Sequence, residues 1–261
     1  MIKSIENLKG AFALTGKTAL VTGGTRGLGA AIALAMAESG ADAAICDLED
    51  TADTVEALSA YGGKYKGYHA DISVFEDVRR LADEVYEDFG RVDILVNNAG
   101  ISAVGDFLDD KGLATWTRVL NTNLHGTAMM IHAIGGRMRD TGGGGCIINI
   151  SSVAGSFVLR TQNMAWYSAS KAAINSLTKS MAYELAKYDI RVNAIAPGFT
   201  NSEFSKMIPP GQIEYLEKTI ASGRFNEAVE IGAMAVYLAS PAAAAMTGVV
   251  IPMNGGQDLS V

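Results

Sequence analysis

The stretch KTALVTGGTRGLG, residues 17–29, joins a short apolar run to a glycine-rich turn, and a predicted helix near 28–39 follows it. The apolar run is typical of a buried β-strand. Gly23, Gly27 and Gly29 would let the backbone turn tightly and approach a pyrophosphate at the start of that helix. Three glycines are a weak signal by themselves, but their place between a strand and a helix predicts a dinucleotide-binding turn.

The rest of the chain repeats this alternation of short apolar runs and longer amphipathic segments. Runs that are apolar throughout indicate a sheet covered on both faces, and their alternation with helices predicts a parallel, doubly wound sheet. No linker, internal repeat or charge run divides the sequence, so we predict one α/β domain over residues 1–261. The predicted strands are 17–23, 41–47, 66–71, 92–100, 145–152, 190–198 and 247–255. The predicted helices lie near 28–39, 51–60, 74–89, 112–139, 165–187 and 226–239.

The composition argues against several classes of partner. The 261 residues include 21 basic and 28 acidic side chains, so the basic surface that attracts nucleic acids or anionic membranes is missing. No apolar run reaches the ~18 residues of a membrane-spanning helix and no secretory signal is visible, which predicts a cytoplasmic protein. Cys46 and Cys146 lie in separate apolar runs, so we expect two buried thiols and no metal site.

The second predicted strand ends in an acidic residue, Asp47, eighteen residues after Gly29. An acid at this position accepts hydrogen bonds from the adenosine ribose hydroxyls and repels a 2′-phosphate, which favours NAD over NADP. Arg26, inside the glycine turn, argues for the opposite choice because it could pair with that phosphate. We therefore predict NAD, with NADP as the less favoured alternative.

Several ordered motifs together resemble the short-chain dehydrogenase/reductase family over about residues 15–256. They are TGGTRGLG (22–29), NNAG (97–100), NTNLHG (121–126), NISS (149–152), YSASK (167–171) and PG (197–198). The resemblance implies a single Rossmann-type domain with a seven-stranded parallel sheet, a nicotinamide cofactor and no catalytic metal. It also implies an oxidoreductase that interconverts a secondary alcohol and a ketone, assembled as a homotetramer on its two long central helices.

The pattern Tyr-x-x-x-Lys occurs twice, as Tyr167 with Lys171 and as Tyr183 with Lys187. Ligands of a doubly wound sheet lie beyond the carboxyl ends of the strands, where the helix near 165–187 begins. Tyr183 would lie about 24 Å further along that helix, at the wrong end. Lys171 shares a helix face with Tyr167, and its charge should lower the pKa of the phenol. The resemblance makes Tyr167 the catalytic acid/base and gives Lys171 a contact with the nicotinamide ribose.

The resemblance also assigns two further catalytic residues. Ser152 would orient the substrate oxygen, and Asn123 would hold a water molecule for proton relay. Ser151 is the neighbour of Ser152, but the alternation of a strand sends its side chain to the other face. Asn121 is the less favoured neighbour of Asn123, and either asparagine could instead bond helix backbone.

Further cofactor contacts follow from matching each motif to the family. Asp71 resembles the acid that meets the adenine amine, and Asn98 lies where the family faces the adenosine ribose. Thr200 and Ser202 are alternatives for the carboxamide, with Ser202 at the more usual offset. The predicted cofactor-binding residues are Gly23, Thr25, Arg26, Gly27, Leu28, Gly29, Asp47, Asp71, Ile72, Asn98, Gly100, Tyr167, Lys171, Pro197, Gly198, Thr200 and Ser202.

The substrate is the least defined part of the prediction. The fifteen-residue interval from Ser152 to Tyr167 resembles the sugar and polyol members of the family, those like gluconate 5-dehydrogenase and sorbose reductase. Arg160, Gln162 and Asn163 in this interval suit a hydroxylated or acidic substrate, although a loop that only faces solvent would have the same composition. We predict a polyol, sugar or sugar acid. A hydroxysteroid reductase, a 3-oxoacyl reductase and a non-catalytic dinucleotide sensor are the alternatives.

A predicted lid follows the sixth strand, over about residues 200–222. It mixes Phe204, Met207, Ile208 and Tyr215 with charged side chains. Such a segment could close over a bound ligand and exclude water, but its composition does not name that ligand.

Overall fold

The computed structural model describes residues 10–158, 163–202, 205, 208 and 210–259. Its main strands are β1 (Thr18–Thr22), β2 (Asp42–Asp47), β3 (Tyr65–His69), β4 (Ile94–Asn97), β5 (Gly145–Ile150), β6 (Ile190–Pro197) and β9 (Val250–Met253). These seven strands form one parallel sheet in the order β3-β2-β1-β4-β5-β6-β9. A separate pair consists of β7 (Thr200–Asn201) and β8 (Asn226–Glu227). The predicted seven-stranded, Rossmann-type parallel sheet is confirmed.

Helices pack on both faces of this sheet. They are α1 (Gly27–Glu38), α2 (Ala52–Leu58), α3 (Phe75–Phe89), α4 (Gly112–Leu120), α5 (Thr127–Met130), α6 (Gly136–Thr141), α7 (Ala165–Leu185), α8 (Pro210–Lys218) and α9 (Ala228–Ala239). The helices α4, α5 and α6 form one continuous stretch, because the π-helical turns Asn121–Gly126 and Ile131–Gly135 join them. Wide turns of this kind often mark functional sites.

The strands are apolar throughout because each one buries side chains on both faces of the sheet. In β1, Ala19 and Val21 join a core with α1 and α9, whereas Leu20 between them joins a second core with α3 and α5. All three side chains are fully buried. The two cores hold the sheet between its helical layers. This packing fixes the carboxyl ends of the strands, where the predicted site residues lie.

The strand order reverses at β1, whose neighbours are β2 on one side and β4 on the other. Connections that leave a strand in opposite directions open a crevice beyond the carboxyl ends of the sheet. The glycine turn after β1 and the loops after β4, β5 and β6 all meet at this crevice. The fold therefore brings together motifs that are far apart in the sequence.

The lid region contains elements that the sequence pattern does not predict. Helix α8 lies inside the segment 200–222, and β7 pairs with β8 next to it. Leu216 and Ile220 pack with Phe225 in a small core of their own. The segment shows neither a clear helical nor a clear strand period, so its composition predicts only a lid. Two of its apolar residues, Phe204 and Met207, lie outside the described residues.

Candidate active site

A cavity of about 680 Å³ lies beyond the carboxyl ends of the central strands. This volume is in the usual range of small-molecule and cofactor sites. The walls come from the glycine turn, the ends of β2 and β3, the loops after β4, β5 and β6, and the start of α7. The predicted cofactor residues that line the cavity are Gly23, Arg26, Gly27, Leu28, Gly29, Asp47, Asp71, Ile72, Asn98, Gly100, Tyr167, Lys171, Pro197, Gly198, Thr200 and Ser202.

The glycine turn is packed too tightly for side chains at two of its positions. Gly23 has φ +66°, and a Cβ atom added at Gly29 would lie 1.9 Å from the Gly23 carbonyl oxygen. The same Cβ would lie 2.5 Å from Nδ2 of Asn98, which donates hydrogen bonds to the carbonyl oxygens of Thr22 and Gly23 at 2.9 Å. The turn brings the N-terminus of α1 to the cavity wall, which is the position that a pyrophosphate site requires.

The acid at the end of β2 is fixed by four hydrogen bonds. Oδ2 of Asp47 accepts from the backbone N–H of Thr25 at 3.1 Å and from its hydroxyl at 2.6 Å. Oδ1 of Asp47 accepts from the N–H groups of Leu48 and Glu49 at 2.8 and 3.3 Å. Thr25, predicted as a direct cofactor contact, does not line the cavity and instead ties the glycine turn to Asp47. Glu49 does line it, and the sequence analysis did not select it.

The next acid, Asp71, is held in a turn after β3. Its Oδ1 accepts from the N–H and the hydroxyl of Ser73 at 2.8 and 2.7 Å. Asp47, Glu49 and Asp71 therefore place three carboxylates at this end of the cavity, with the guanidinium of Arg26 as the basic group there. The balance of charge at this end is acidic.

The side chains of Ser152 and Tyr167 both lie at the cavity wall, close enough for the Ser152 hydroxyl to act on the pKa of the phenol. The neighbouring Ser151 has a different environment, because its hydroxyl bonds Oδ1 of Asn175 at 2.5 Å and the carbonyl oxygen of Lys171 at 3.2 Å. The structure thus brings Ser152, rather than Ser151, to Tyr167. The loop after β5 and the first turn of α7 position the two hydroxyls.

Lys171 lies beside this pair with only 5% of its surface exposed. Its Nζ donates to the carbonyl oxygen of Ile150 at 2.7 Å and stands over the ring of Tyr167, 5.5 Å from the centroid. Burial lowers the pKa of Lys171 to about 8. Burial also raises the pKa of Tyr167, and the nearby hydroxyl of Ser152 opposes this only in part.

The pKa of Tyr167 is therefore raised, and the net lowering expected from the Lys171 charge is wrong. Removing a phenol from water disfavours its charged form, and this effect is the larger one here. Nζ of Lys171 stands over the ring, 5.5 Å from its centroid, while burial lowers the pKa of the lysine itself to about 8. Tyr167 consequently keeps its proton at neutral pH.

Asn123 is buried in the first π-helical turn, whereas Asn121 is exposed. Its Oδ1 accepts from the N–H of Ile101 at 2.8 Å, and its Nδ2 donates to the Ile101 carbonyl oxygen at 2.9 Å. The same Nδ2 donates to the hydroxyl of Ser170 at 3.1 Å. The amide therefore acts as a backbone mimic that holds the loop after β4, which is the kind of structural alternative the sequence left open. The proton-relay water stays a prediction.

The loop after β6 closes the opposite end of the cavity. The hydroxyl of Thr200 donates to the carbonyl oxygen of Gly198 at 3.0 Å, and Ser202 lies across from Gly27 of the glycine turn. Gln257 is buried, lines the cavity, and would be only 2.7 Å from a Cβ atom added at Gly198. Gln257 belongs to no sequence motif, so the sequence alone does not predict its place in the site. Both Thr200 and Ser202 line the cavity, so that choice stays open.

Of the substrate residues predicted between Ser152 and Tyr167, the structure describes only Asn163. Arg160 and Gln162 lie outside the described residues. Asn163 is exposed and does not line the cavity. Its backbone carbonyl oxygen accepts a hydrogen bond from the N–H of Gly105, in the loop after β4, at 3.1 Å. Residues near Ser152 and Tyr167 that do line the cavity are Ile101, Ser102, Val153, Met164 and Ile208.

The second Tyr-x-x-x-Lys pair has no connection with the cavity. Tyr183 is 89% exposed, and Nζ of Lys187 lies over the ring of Tyr188 at 5.0 Å. Neither residue lines the cavity, which confirms that they are surface residues. Within the described ranges, no cluster of three His, Cys, Asp or Glu side chains could hold a metal ion. Among the same residues, no helix is both long and apolar enough to cross a membrane.

The arrangement fits a nicotinamide dinucleotide. The crowded glycine turn suits a pyrophosphate, the acid at the end of β2 suits ribose hydroxyls, and the Ser152, Tyr167 and Lys171 set lies further along the same cavity. A Rossmann-type sheet with these features defines a dinucleotide-dependent oxidoreductase.

Comparison with known proteins identifies the family. The family model described as "Enoyl-(Acyl carrier protein) reductase" matches residues 23–258. D-threitol dehydrogenase of Mycolicibacterium smegmatis is 40% identical over 250 residues, which cover 94% of each chain. The chain belongs to the short-chain dehydrogenase/reductase family.

Other members of the family differ in their substrates. The rhamnolipid-biosynthesis 3-oxoacyl-(acyl-carrier-protein) reductase of Pseudomonas aeruginosa is 40% identical over 252 residues, 94% of this chain and 97% of that protein. The crystal structure of a gluconate 5-dehydrogenase from Burkholderia cenocepacia, in complex with NADP and tartrate, has a TM-score of 0.90 at 32% identity. That match covers 97% of this chain and 99% of the other. Sugar-type members are thus among the relatives, as the sequence resemblance implied.

Proposed function

We propose that the protein is an NAD-dependent dehydrogenase/reductase that interconverts a secondary alcohol and a ketone on a polyol, sugar or sugar acid. The observation that carries this proposal is the meeting of Ser152 and Tyr167 at the cavity wall, with the buried Lys171 beside them. Two hydroxyls arranged in this way can hold one substrate oxygen and exchange its proton.

Tyr167 acts as the acid/base. In the direction of ketone reduction it donates its phenolic proton to the substrate oxygen, and in the direction of oxidation it takes that proton back. Its raised pKa keeps the phenol protonated at neutral pH, which suits donation. Ser152 donates a hydrogen bond to the same oxygen while charge develops there. When bound, the nicotinamide cofactor supplies or removes the hydride.

Lys171 and Asn123 support the proton transfer. With a pKa lowered to about 8, Lys171 can give up or take up a proton near neutral pH and so restore the charge state of Tyr167. The same lysine would contact the nicotinamide ribose. Asn123 fixes the backbone of Ile101 beside this group and would hold a relay water.

The preference for NAD is supported by the charge at the adenosine end of the cavity. Asp47, Glu49 and Asp71 line that end together with Arg26. A 2′-phosphate would meet three carboxylates and one guanidinium, and repulsion between like charges in a confined site is large. NADP is the alternative cofactor for two reasons. Arg26 lines the cavity and could pair with a 2′-phosphate, and the crystallised gluconate 5-dehydrogenase holds NADP.

A hydroxylated substrate is supported by the relatives that act on threitol and gluconate, and by the tartrate in the gluconate 5-dehydrogenase complex. A second candidate is a 3-oxoacyl thioester. It is favoured by the equally similar 3-oxoacyl reductase and by the apolar side chains of Met164 and Ile208 in the cavity wall. The substrate panel below includes both classes, and a hydroxysteroid.

The homotetramer is part of the same proposal. Large apolar side chains are exposed at and before α4, where Leu108 is 91% and Leu113 is 70% exposed, and β9 is an edge strand. Such surfaces favour contacts with further copies of the chain. Light scattering on the purified protein would give the number of subunits. The cytoplasmic location stays a prediction of the sequence.

The test of the proposal is NADH formation from NAD⁺ with a panel of polyols, aldonic acids, 3-hydroxyacyl thioesters and hydroxysteroids. Tyr167→Phe should lower turnover by about 10³-fold or more, because it removes the proton-transfer group, while NADH still binds. Tyr183→Phe makes the same change at an exposed position of the same helix and should keep wild-type activity. Equal activity of the two variants would contradict the role of Tyr167. A wild-type protein that binds NADH but turns over no alcohol would support a sensor.

A further inference from the structure

Ser102 lines the cavity from the loop after β4, and the proposed reaction assigns it no role. The preceding residue, Ile101, is held by Asn123 through both its N–H and its carbonyl group, at 2.8 and 2.9 Å. The following residue, Ala103, accepts a hydrogen bond from Nε1 of Trp166 at 2.7 Å. Asn123 and Trp166 are themselves buried. The backbone of Ser102 is therefore fixed on both sides.

Aromatic packing makes this support rigid. The ring of Trp166 stacks on Phe107 at 6.1 Å, and Phe107 meets the edge of Trp116 at 5.8 Å. The Trp166 ring also lies against Gly105, where an added Cβ would be 3.6 Å away. Since Trp166 directly precedes Tyr167 in α7, these contacts hold the loop at a fixed place relative to the catalytic tyrosine.

The hydroxyl of Ser102 is buried, and no described residue forms a hydrogen bond with it. Buried hydroxyl groups in folded proteins nearly always have a partner, and exceptions call for a functional explanation. Here the side chain belongs to a preorganised loop in the wall of the cavity, next to a residue held by Asn123. A group of this kind is suited to a ligand oxygen.

We infer that Ser102 is a substrate-orienting residue whose hydroxyl binds a second oxygen of the substrate, on the carbon next to the reacting one. The inference rests on the proposed function, because it assigns a polar subsite to the same reaction. In the proposed reaction Ser152 and Tyr167 both bind the reacting oxygen, so a second oxygen of the substrate needs another partner. A vicinal diol offers Ser102 a partner, whereas a simple secondary alcohol leaves it without one.

The test compares two substrates that differ by one hydroxyl group, butane-2,3-diol in each stereoisomer and butan-2-ol, with NAD⁺. The wild-type protein should prefer the diol in kcat/KM. Ser102→Ala should lower kcat/KM for the diol by about ten-fold, the effect of one neutral hydrogen bond, and leave butan-2-ol within two-fold. Ser102→Thr keeps a hydroxyl and should retain most of the preference. Ser156→Ala, at an exposed position outside the cavity lining, serves as the matched control.

Stability provides a readout that does not depend on turnover. Ser102→Ala removes a buried hydroxyl without a partner, so its urea midpoint should equal or exceed that of the wild type. A hydroxyl with a purely structural role would give a lower midpoint. NADH affinity should stay unchanged, because the inferred partner is the substrate.

The outcomes separate the inference from the function on which it rests. An equal loss on the diol and on butan-2-ol would assign Ser102 to the cofactor or to the reacting oxygen and overturn the inference alone. A lower urea midpoint, or a wild type without preference for the diol, would also overturn it. If the wild type turned over neither compound nor any polyol, the proposed function would fail and the inference with it.

Discussion

Replacing Gly29 with alanine tests whether the glycine turn is shaped for a cofactor. The added Cβ would lie 1.9 Å from the carbonyl oxygen of Gly23 and 2.5 Å from Nδ2 of Asn98. Real Cβ atoms essentially never approach another atom closer than 3.0 Å, so the turn must open by about 1 Å. The two hydrogen bonds that Asn98 donates to Thr22 and Gly23 would be strained or broken by that movement.

The magnitude follows from these contacts. Overpacking a tight site costs about 1–3 kcal/mol, and leaving buried amide and carbonyl groups unpaired costs about 1–3 kcal/mol more. A total of about 2–6 kcal/mol would be divided between the free energy of unfolding and the affinity for NADH. We expect NADH to bind Gly29→Ala at least ten-fold more weakly, which corresponds to about 1.4 kcal/mol.

The assay is a fluorescence titration with NADH, combined with urea unfolding of the same samples. Gly136→Ala is the matched control, because an added Cβ there meets no atom within 4 Å and the backbone is helical. It should leave NADH binding unchanged and raise stability by about 0.5–1 kcal/mol. Wild-type NADH affinity in a Gly29→Ala protein of wild-type stability would refute the packing argument.

Two further predictions concern charge. The folded pKa of Lys171, lowered to about 8, lies below its unfolded value of about 10.4. The unfolded chain therefore binds the extra proton between these pH values, and this lysine makes stability rise by about 1 kcal/mol per pH unit from pH 8 to 10. Urea unfolding across this range should show the rise in the free energy of unfolding in the wild type and in Lys187→Met, but not in Lys171→Met. The same pH dependence in all three proteins would contradict the assignment of the rise to Lys171. Asp47→Ser should shift the ratio of kcat/KM values toward NADP⁺ by roughly ten-fold or more, since two like charges about 5 Å apart repel by about 3 kcal/mol at an effective dielectric of 20. Asp50→Ser is the control, because it removes an equal charge outside the cavity lining, and it should leave the ratio unchanged. If Asp47→Ser also left the ratio unchanged, Arg26 rather than Asp47 would govern the choice between NAD and NADP.

The sequence predicts the sheet well, and it selects the serine, tyrosine and lysine that the fold brings to one cavity, because both depend on local patterns. Apolar runs such as the one around Val21 mark strands buried on both faces, and the glycine turn marks the switch point of the sheet. The choice of Tyr167 over Tyr183 follows from where α7 begins relative to the strand ends. The order of the elements along the chain and their type, strand or helix, are enough to predict these features.

Features that depend on packing between distant segments could not be predicted. The loop that carries Ser102 is fixed by Asn123 and Trp166, which lie 21 and 64 residues further along the chain. The pKa of Tyr167 depends on how far the fold removes its hydroxyl from water, so a calculation from the Lys171 charge alone gives the wrong direction. In the same way, nothing local shows that the side chain of Asn163 faces solvent.

The most direct test of the proposed reaction follows a label from substrate to cofactor. The polyol with the fastest turnover would be prepared with deuterium at its carbinol carbons and incubated with the protein and NAD⁺. We predict that the recovered NADH carries one deuterium at C4 of the nicotinamide, and that Tyr167→Phe forms almost none. Unlabelled NADH, or no NADH from any polyol or sugar acid, would contradict a hydride transfer from a secondary alcohol in this cavity.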